Sequence, residues 1–134
     1  MNLSPSLPTE SSDHPLDQLR RIMQHLRRAC PWDRAQTPQS LTRYAIEEAY
    51  EVDAAVRSGD VAAVRDELGD LLLQVLFQSC LYEEQGAFGL NEVMAGLQAK
   101  LIRRHPHVFG DAEAADAEAV RQHWQQIKAA EKQA

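Results

Sequence analysis

From Pro15 onward the apolar residues Leu16, Leu19, Ile22, Met23 and Leu26 recur at three- and four-residue steps, the repeat of a helix that buries one face. Pro15 suits the first turn, where its missing N–H would have no helical partner, and the repeat predicts a first helix to about Ala29. Cys30-Pro31-Trp32-Asp33 breaks the pattern. Thr37-Pro38 reads as an N-cap followed by proline at the first helical position and starts a second helix. Its stripe, Leu41, Ala45, Ala49, Val52 and Val56, stops at Ser58-Gly59-Asp60, a connection short enough to return the next helix antiparallel. The third helix starts near Val61. Val61, Val64, Leu68, Leu71, Leu72, Val75 and Leu76 cover one side and Leu73 and Phe77 the other, so beyond Leu68 it is apolar nearly all round and is expected at the centre of the fold. Gly86 and Gly89 end it. Asn91 is expected to cap a fourth helix carrying Val93, Met94, Leu97 and Leu101, which stops at His105-Pro106 because the residue before proline avoids the helical region. After the acidic, alanine-rich link Asp111–Glu118, a fifth helix over about 116–131 places Val120, Trp124 and Ile127 on one face. No strand alternation or internal repeat is visible. The expected fold is all-α, a compact bundle of about five helices with a four-helix core.

Composition narrows this picture. A chain of 134 residues with 44% apolar content is expected to form one domain around one core. The Ser- and Pro-rich residues 1–13 show no periodicity and are expected to be a disordered leader, leaving 14–132 as the domain. The count of 14 Lys+Arg against 20 Asp+Glu leaves a net charge of −6, which argues against a nucleic-acid polymer as partner and leaves a small phosphorylated ligand open. Cys30 and Cys80 stand alone, no secretion signal opens the chain, and no apolar run approaches the length of a membrane span. These features predict a cytoplasmic protein with reduced thiols and no membrane partner.

Acidic residues supply the candidate chemistry. The second helix carries Glu47-Glu48-Ala49-Tyr50-Glu51 and the third Glu67-Leu68-Gly69-Asp70, with Glu48/Glu51 and Glu67/Asp70 each spaced to share a helix face. Glu51 and Glu67 stand equally far in sequence on either side of Gly59, as do Glu48 and Asp70. Folding the hairpin about Gly59 therefore sets them at matching heights, as two facing rungs. Unit charges about 4 Å apart repel by roughly 4 kcal/mol even at an effective dielectric near 20, so a hard divalent cation with oxygen ligands is the natural occupant. Ordinary solvated glutamates on good helices are the alternative. Two details favour the cation. Gly69 costs a helix interior about 1 kcal/mol relative to Ala and suggests a close approach, and Asp70 adjoins the apolar stretch, where a free charge is expensive. The chain has no Glu-x-x-His of di-iron bundles, no paired zinc ligands, and no nucleophile-elbow, Walker-type or dinucleotide glycine pattern.

Taken together, Glu47-Glu48-x-x-Glu51 and Glu67-x-x-Asp70, with Cys30-Pro31-Trp32-Asp33, Gln36-Thr37, Leu71-Leu72 and Arg103-Arg104-His105-Pro106-His107-Val108-Phe109, resemble the MazG-type nucleoside triphosphate pyrophosphohydrolases of the all-α NTP pyrophosphatase superfamily. The resemblance covers about residues 14–132. It implies Mg²⁺-dependent cleavage of a (d)NTP between the α and β phosphates, giving (d)NMP and pyrophosphate, with Mn²⁺ as a substitute metal and nucleotide-pool house-cleaning as the role. It also implies a homodimer or a dimer of dimers. On this reading Glu48, Glu51, Glu67 and Asp70 hold the metal, and Glu47 acts as a base or orients a ligand. Two rivals stay open: a phosphoribosyl-ATP or deoxynucleotide-specific pyrophosphatase of the same superfamily, and a non-catalytic nucleotide- or protein-binding bundle.

Lys100, Arg103 and Arg104 form one cationic cluster at the end of the fourth helix. They suit either the helix dipole or a triphosphate. By resemblance, Lys100 and Arg104 hold the phosphate tail, while Trp124 and Lys128 form a base-stacking and phosphate-contacting pair; an ordinary core tryptophan is the alternative. His105-Pro106-His107 reads as a turn anchored by Val108 and Phe109 more readily than as a catalytic imidazole. Trp32 either lines a base pocket or plugs the bundle end. Cys30 has no histidine beside it in sequence and is not expected to be a nucleophile.

Overall fold

The computed structural model describes residues 14–133, so the expected leader at 1–13 lies outside the described residues. Helices make up the fold: α1 (Pro15–Ala29), α2 (Pro31–Ala35), α3 (Pro38–Ser58), α4 (Val61–Glu84), α5 (Leu90–Arg103), α6 (Pro106–Phe109) and α7 (Ala117–Gln133). The all-α expectation holds, and the expected five helices become seven among the described residues. The two additions, α2 and α6, span five and four residues, too few turns to establish an apolar repeat. Each begins at a proline, Pro31 or Pro106, where the apolar repeat of the preceding helix breaks off.

Two compact units are present, one through Leu90 and one from Asn91 onward. In the first, α3 and α4 pack along each other as a hairpin, and α1 packs on α2 and α4. Local chemistry sets the hairpin's ends. Thr37 and Ser40 exchange side chain–backbone bonds at 3.1 and 2.9 Å as a capping box for α3. Gly59 closes α3 in the left-handed region at φ 77°, where a side chain would be strained. Asp60 Oδ1 then accepts from the amides of Ala62 and Ala63 at 3.1 and 3.3 Å and caps α4.

Met23 of α1, Leu41 of α3 and Phe77, Cys80 and Leu81 of α4 form the buried core, with Tyr44 packed against it. Burial, then the neighbouring Glu84, pushes the Cys80 thiol up to about 11, so this thiol stays protonated. The expectation that α4 is central along its apolar length needs correction. Leu76–Leu81 lie inside apart from Gln78, but Leu68 is 50% exposed and Leu72, Leu73 and Val75 each about 40%. Hydropathy predicted that this surface would be covered; α1 and α3 do not cover it.

Arg27 connects three elements of this unit. Its Nη1 donates to the carbonyl oxygens of Asp33, Arg34 and Gln36 at 2.6, 3.0 and 3.3 Å, while Nε and Nη2 donate to Glu84 at 2.8 Å each. The guanidinium thus ties the end of α2 to α1 and α4. Hydrogen bonds to charged groups are worth about 1.5–3 kcal/mol each, which lets a five-residue helix hold its place. It also sets Trp32, whose ring meets Tyr44 and Phe77 edge-on at 5.9 and 6.4 Å between centroids.

Helix α5, all but its first residue in the second unit, begins at Leu90, one residue ahead of the expected Asn91 cap, so Asn91 lies inside the first turn. Asp116 caps the other long helix, its Oδ1 accepting from Ala119 N at 2.9 Å. Val120, Trp124 and Ile127 are half-buried, as the stripe predicted. Val108 and Phe109 do not anchor a return: both are more than 60% exposed, because α6 is a single turn that leaves these side chains pointing to solvent.

Candidate active site

The tight turn at Gly59 fixes the register of α3 against α4, and that register brings carboxylates together. Glu48, Glu67 and Asp70 offer oxygens that all lie within 4.8 Å of one another. Glu48 and Glu67 are half-buried and Asp70 is exposed, so the cluster opens to solvent on the Asp70 side. The expected cost of holding Asp70 against apolar neighbours is therefore absent. Gly69 also departs from expectation: among the described residues no atom lies within 4 Å of where its side chain would start, so they make no close approach there.

Glu48 is the strained member. Its Oε2 is buried without a hydrogen-bond partner. Burial first, then close approach to Glu67, then the charges of Glu67, Asp70 and Glu51 hold its carboxyl far above the ordinary range, at about 7. A buried lone pair without a donor, in an all-oxygen set of like charges, fits a hard divalent cation. Glu51 is exposed and stands outside the three-residue cluster, although it adds to the field at Glu48. Glu47 is exposed; the neighbouring Arg43 guanidinium is raised first by its hydrogen bond to the Tyr44 hydroxyl and only last by the charge of Glu47.

Lys100, Arg103 and Arg104 share the end of α5, and the structure gives the two arginines a common partner that the sequence reading missed. Glu131 Oε2 accepts from Arg103 Nη2 at 2.6 Å, and its Oε1 accepts from Arg104 Nη2 at 2.9 Å. Lys100 is exposed and Lys128 half-buried. The Arg104 guanidinium lies over the Trp124 ring at 5.2 Å, and His105 meets the same ring edge-on at 5.1 Å. A signal for Glu131 existed: with Trp124 and Lys128 it falls at i, i+4 and i+7 on one face of α7. Trp32 is half exposed on its apolar seat.

Comparison with known proteins gives this geometry a context. Residues 36–109 match the family model described as MazG nucleotide pyrophosphohydrolase domain. Over 120 residues the chain is 44% identical to a nucleoside triphosphate pyrophosphohydrolase of Escherichia coli (strain K12), covering 87% of this chain and 46% of that one. It is 45% identical over 118 residues to the nucleoside triphosphate pyrophosphohydrolase/pyrophosphatase MazG of Thermotoga maritima, covering 87% and 45%. The chain spans less than half the length of these curated relatives. A crystal structure of a mazG-related protein from Thermotoga maritima matches with a TM-score of 0.69 at 24% identity, over 84% of this chain and 98% of that one, a likeness of fold.

The raised carboxyl of Glu48 carries a signed consequence. Between its unfolded value of 4.5 and its folded value of about 7, the folded chain holds a proton that the unfolded chain has released. Stability therefore falls as pH rises through that window. The melting temperature of the chelator-treated protein is expected to drop from pH 5 to pH 8, with a smaller drop in Glu48→Gln. Mg²⁺ should raise it more at pH 8 than at pH 5. Equal Mg²⁺ shifts at the two pH values in differential scanning fluorimetry would contradict this electrostatic account.

Proposed function

The chain belongs to the family of MazG nucleotide pyrophosphohydrolase domains, and from that premise we propose that it hydrolyses nucleoside triphosphates, ribo or deoxy, to the monophosphate and pyrophosphate in a cytoplasmic house-cleaning role, with residues 14–132 working as one domain. The convergence of Glu48, Glu67 and Asp70 within 4.8 Å carries this reading, because a family of phosphoanhydride hydrolases needs a place to neutralise phosphate charge. Relatives named as nucleoside triphosphate pyrophosphohydrolases support it. The free thiols of Cys30 and Cys80 support a reducing compartment.

Glu48, Glu67 and Asp70 would hold Mg²⁺, or Mn²⁺ in its place, with Glu51 joining from the next turn of α3. The ion, when bound, neutralises phosphate oxygens and favours attack on phosphorus. Glu48 gives up its proton as the site is loaded, since its high affinity for that proton comes from burial and from its acidic neighbours. Glu47, exposed beside the cluster, orients the attacking water or takes its proton. In the second unit Lys100, Arg103, Arg104 and Lys128 supply cationic donors for a phosphate tail. Charge developing on phosphate oxygens would be stabilised by these donors, and Trp124, whose ring Arg104 lies over at 5.2 Å, is the ring a base would stack on.

The dimer, or dimer of dimers, draws support from α4. Val61, Leu68, Leu72 and Val75 fall on one face of that helix and are all exposed, and Ile46 and Tyr50 of α3 are exposed at 59% and 71%. Several exposed apolar residues on one helix face mark an interaction site, and the open space at Gly69 leaves room for a second backbone.

Two experiments test these readings. Phosphorus NMR of products formed from ATP and dATP with Mg²⁺ should show pyrophosphate and monophosphate from the first turnovers. Glu67→Ala and Asp70→Ala should lower the rate by about 10²-fold or more with the helical circular dichroism unchanged. A nucleoside diphosphate as first product, or full activity in either variant, would reject the assignment. In sedimentation velocity the wild type should run as a dimer or tetramer and Leu72→Glu as a smaller species; a monomeric wild type would remove the interface.

A further inference from the structure

Glu131 lies where an anionic ligand would be expected. Its Oε2 accepts from Nε and Nη2 of Arg103 at 2.8 and 2.6 Å, and its Oε1 accepts from Nε and Nη2 of Arg104 at 3.2 and 2.9 Å. One carboxylate thus fills the same edge of two guanidinium groups, the edge that binds carboxylate and phosphate alike. Arg104 is braced from another side by the Trp124 ring at 5.2 Å. The side chains of Arg104 and Glu131 are 17% and 22% exposed and that of Arg103 is 48% exposed, so the cradle is sheltered on its Arg104 side and open to an entering anion on its Arg103 side. Arg104 first, then Arg103, holds the Glu131 carboxyl below the ordinary carboxylate range, which keeps it an anion. Lys100 on the same helix end and Lys128, one turn before Glu131 on α7, leave the neighbourhood with more positive charge than one carboxylate balances.

We propose that Glu131 is the resident stand-in for phosphate in this cradle, displaced by the polyphosphate tail of the substrate, so that it sets which anions the site admits. The inference rests on the reading above that Arg103 and Arg104 receive phosphate. A carboxylate tethered by its own helix competes at an effective concentration in the millimolar range or above. A singly charged anion offers no more than Glu131 already gives and is turned away. A triphosphate tail brings several charges and more oxygens, satisfies both guanidinium groups and engages the lysines as well. Displacement also releases two ion pairs that tie α7 to the end of α5, so ligand entry frees the last turns of α7.

The size of the effect follows from occupancy. A cradle that Glu131 fills about nine-tenths of the time weakens the apparent affinity of a competing anion about tenfold. Glu131→Gln keeps the shape and one accepting oxygen but removes the charge, and so removes most of that competition.

Calorimetric titration with inorganic tripolyphosphate and with inorganic monophosphate, in chelator and without nucleotide, reads this directly. Glu131→Gln is expected to bind tripolyphosphate about tenfold tighter than wild type, and the preference for tripolyphosphate over monophosphate should narrow. Glu131→Asp, which keeps the charge on a shorter arm, should fall between the two and carries the test if the Gln variant loses its helical circular dichroism. A purely structural brace predicts the opposite, a lower melting temperature with unchanged or weaker binding. That result, or no tripolyphosphate binding by wild type and variants alike, would overturn the proposal. Parallel assays of pyrophosphate release separate the two levels. Tighter tripolyphosphate binding without nucleotide turnover would sink the enzymatic reading and keep Glu131 as competitor; turnover with unchanged tripolyphosphate affinity would do the reverse.

Discussion

Like-charge crowding is the constraint on which the candidate site depends. Oxygens of Glu48, Glu67 and Asp70 are brought within 4.8 Å of one another by two helices that a two-residue connection joins, and the closed hairpin eases their repulsion by keeping a proton on Glu48. The helix caps at Thr37 and Asp60 and the left-handed Gly59 fix the register that creates the crowding. The core of Met23, Leu41, Phe77, Cys80 and Leu81 supplies the apolar burial that keeps the hairpin closed. The fold therefore spends stability to hold negative charge in one place. Crowded, partly buried carboxylates with a raised carboxyl among them mark a place suited to a divalent cation.

The second unit shows the complementary arrangement. Two guanidinium groups converge at the end of α5, and Glu131 from α7 satisfies them internally. One cluster is thus short of positive charge and the other already neutralised by a side chain of its own. Each unit carries its own charge arrangement, acidic in the first and an internally paired cationic one in the second.

Much of this was legible in the sequence where the determining physics is local. Thr37-Pro38 and Ser58-Gly59-Asp60 announce helix ends because caps act within three residues. The symmetric placement of Glu48, Glu51, Glu67 and Asp70 about Gly59 foretold the meeting of three of them, since a tight connection converts sequence distance into height. Short helices were not legible: α2 and α6 lack the turns that make a periodic signal. Coverage was not legible either. Leu68, Leu72 and Val75 read as core because apolar character says that a surface seeks cover, not whether the same chain provides it, and Gly69 was misread for the same reason. Long-range charge pairs such as Arg27 with Glu84 and Arg104 with Glu131 leave almost no trace in sequence spacing, because they join residues 57 and 27 positions apart.

The central claim is that the three crowded carboxylates bind one divalent cation between α3 and α4. Electron paramagnetic resonance of Mn²⁺ titrated into the protein, without nucleotide, tests it most directly. One Mn²⁺ per chain should leave the free-ion spectrum, Mg²⁺ should return it to solution, and Glu67→Gln should weaken its binding by about tenfold or more. A wild-type chain that leaves Mn²⁺ free at millimolar concentration, or a Glu67→Gln variant that binds it as tightly as wild type, would contradict the account.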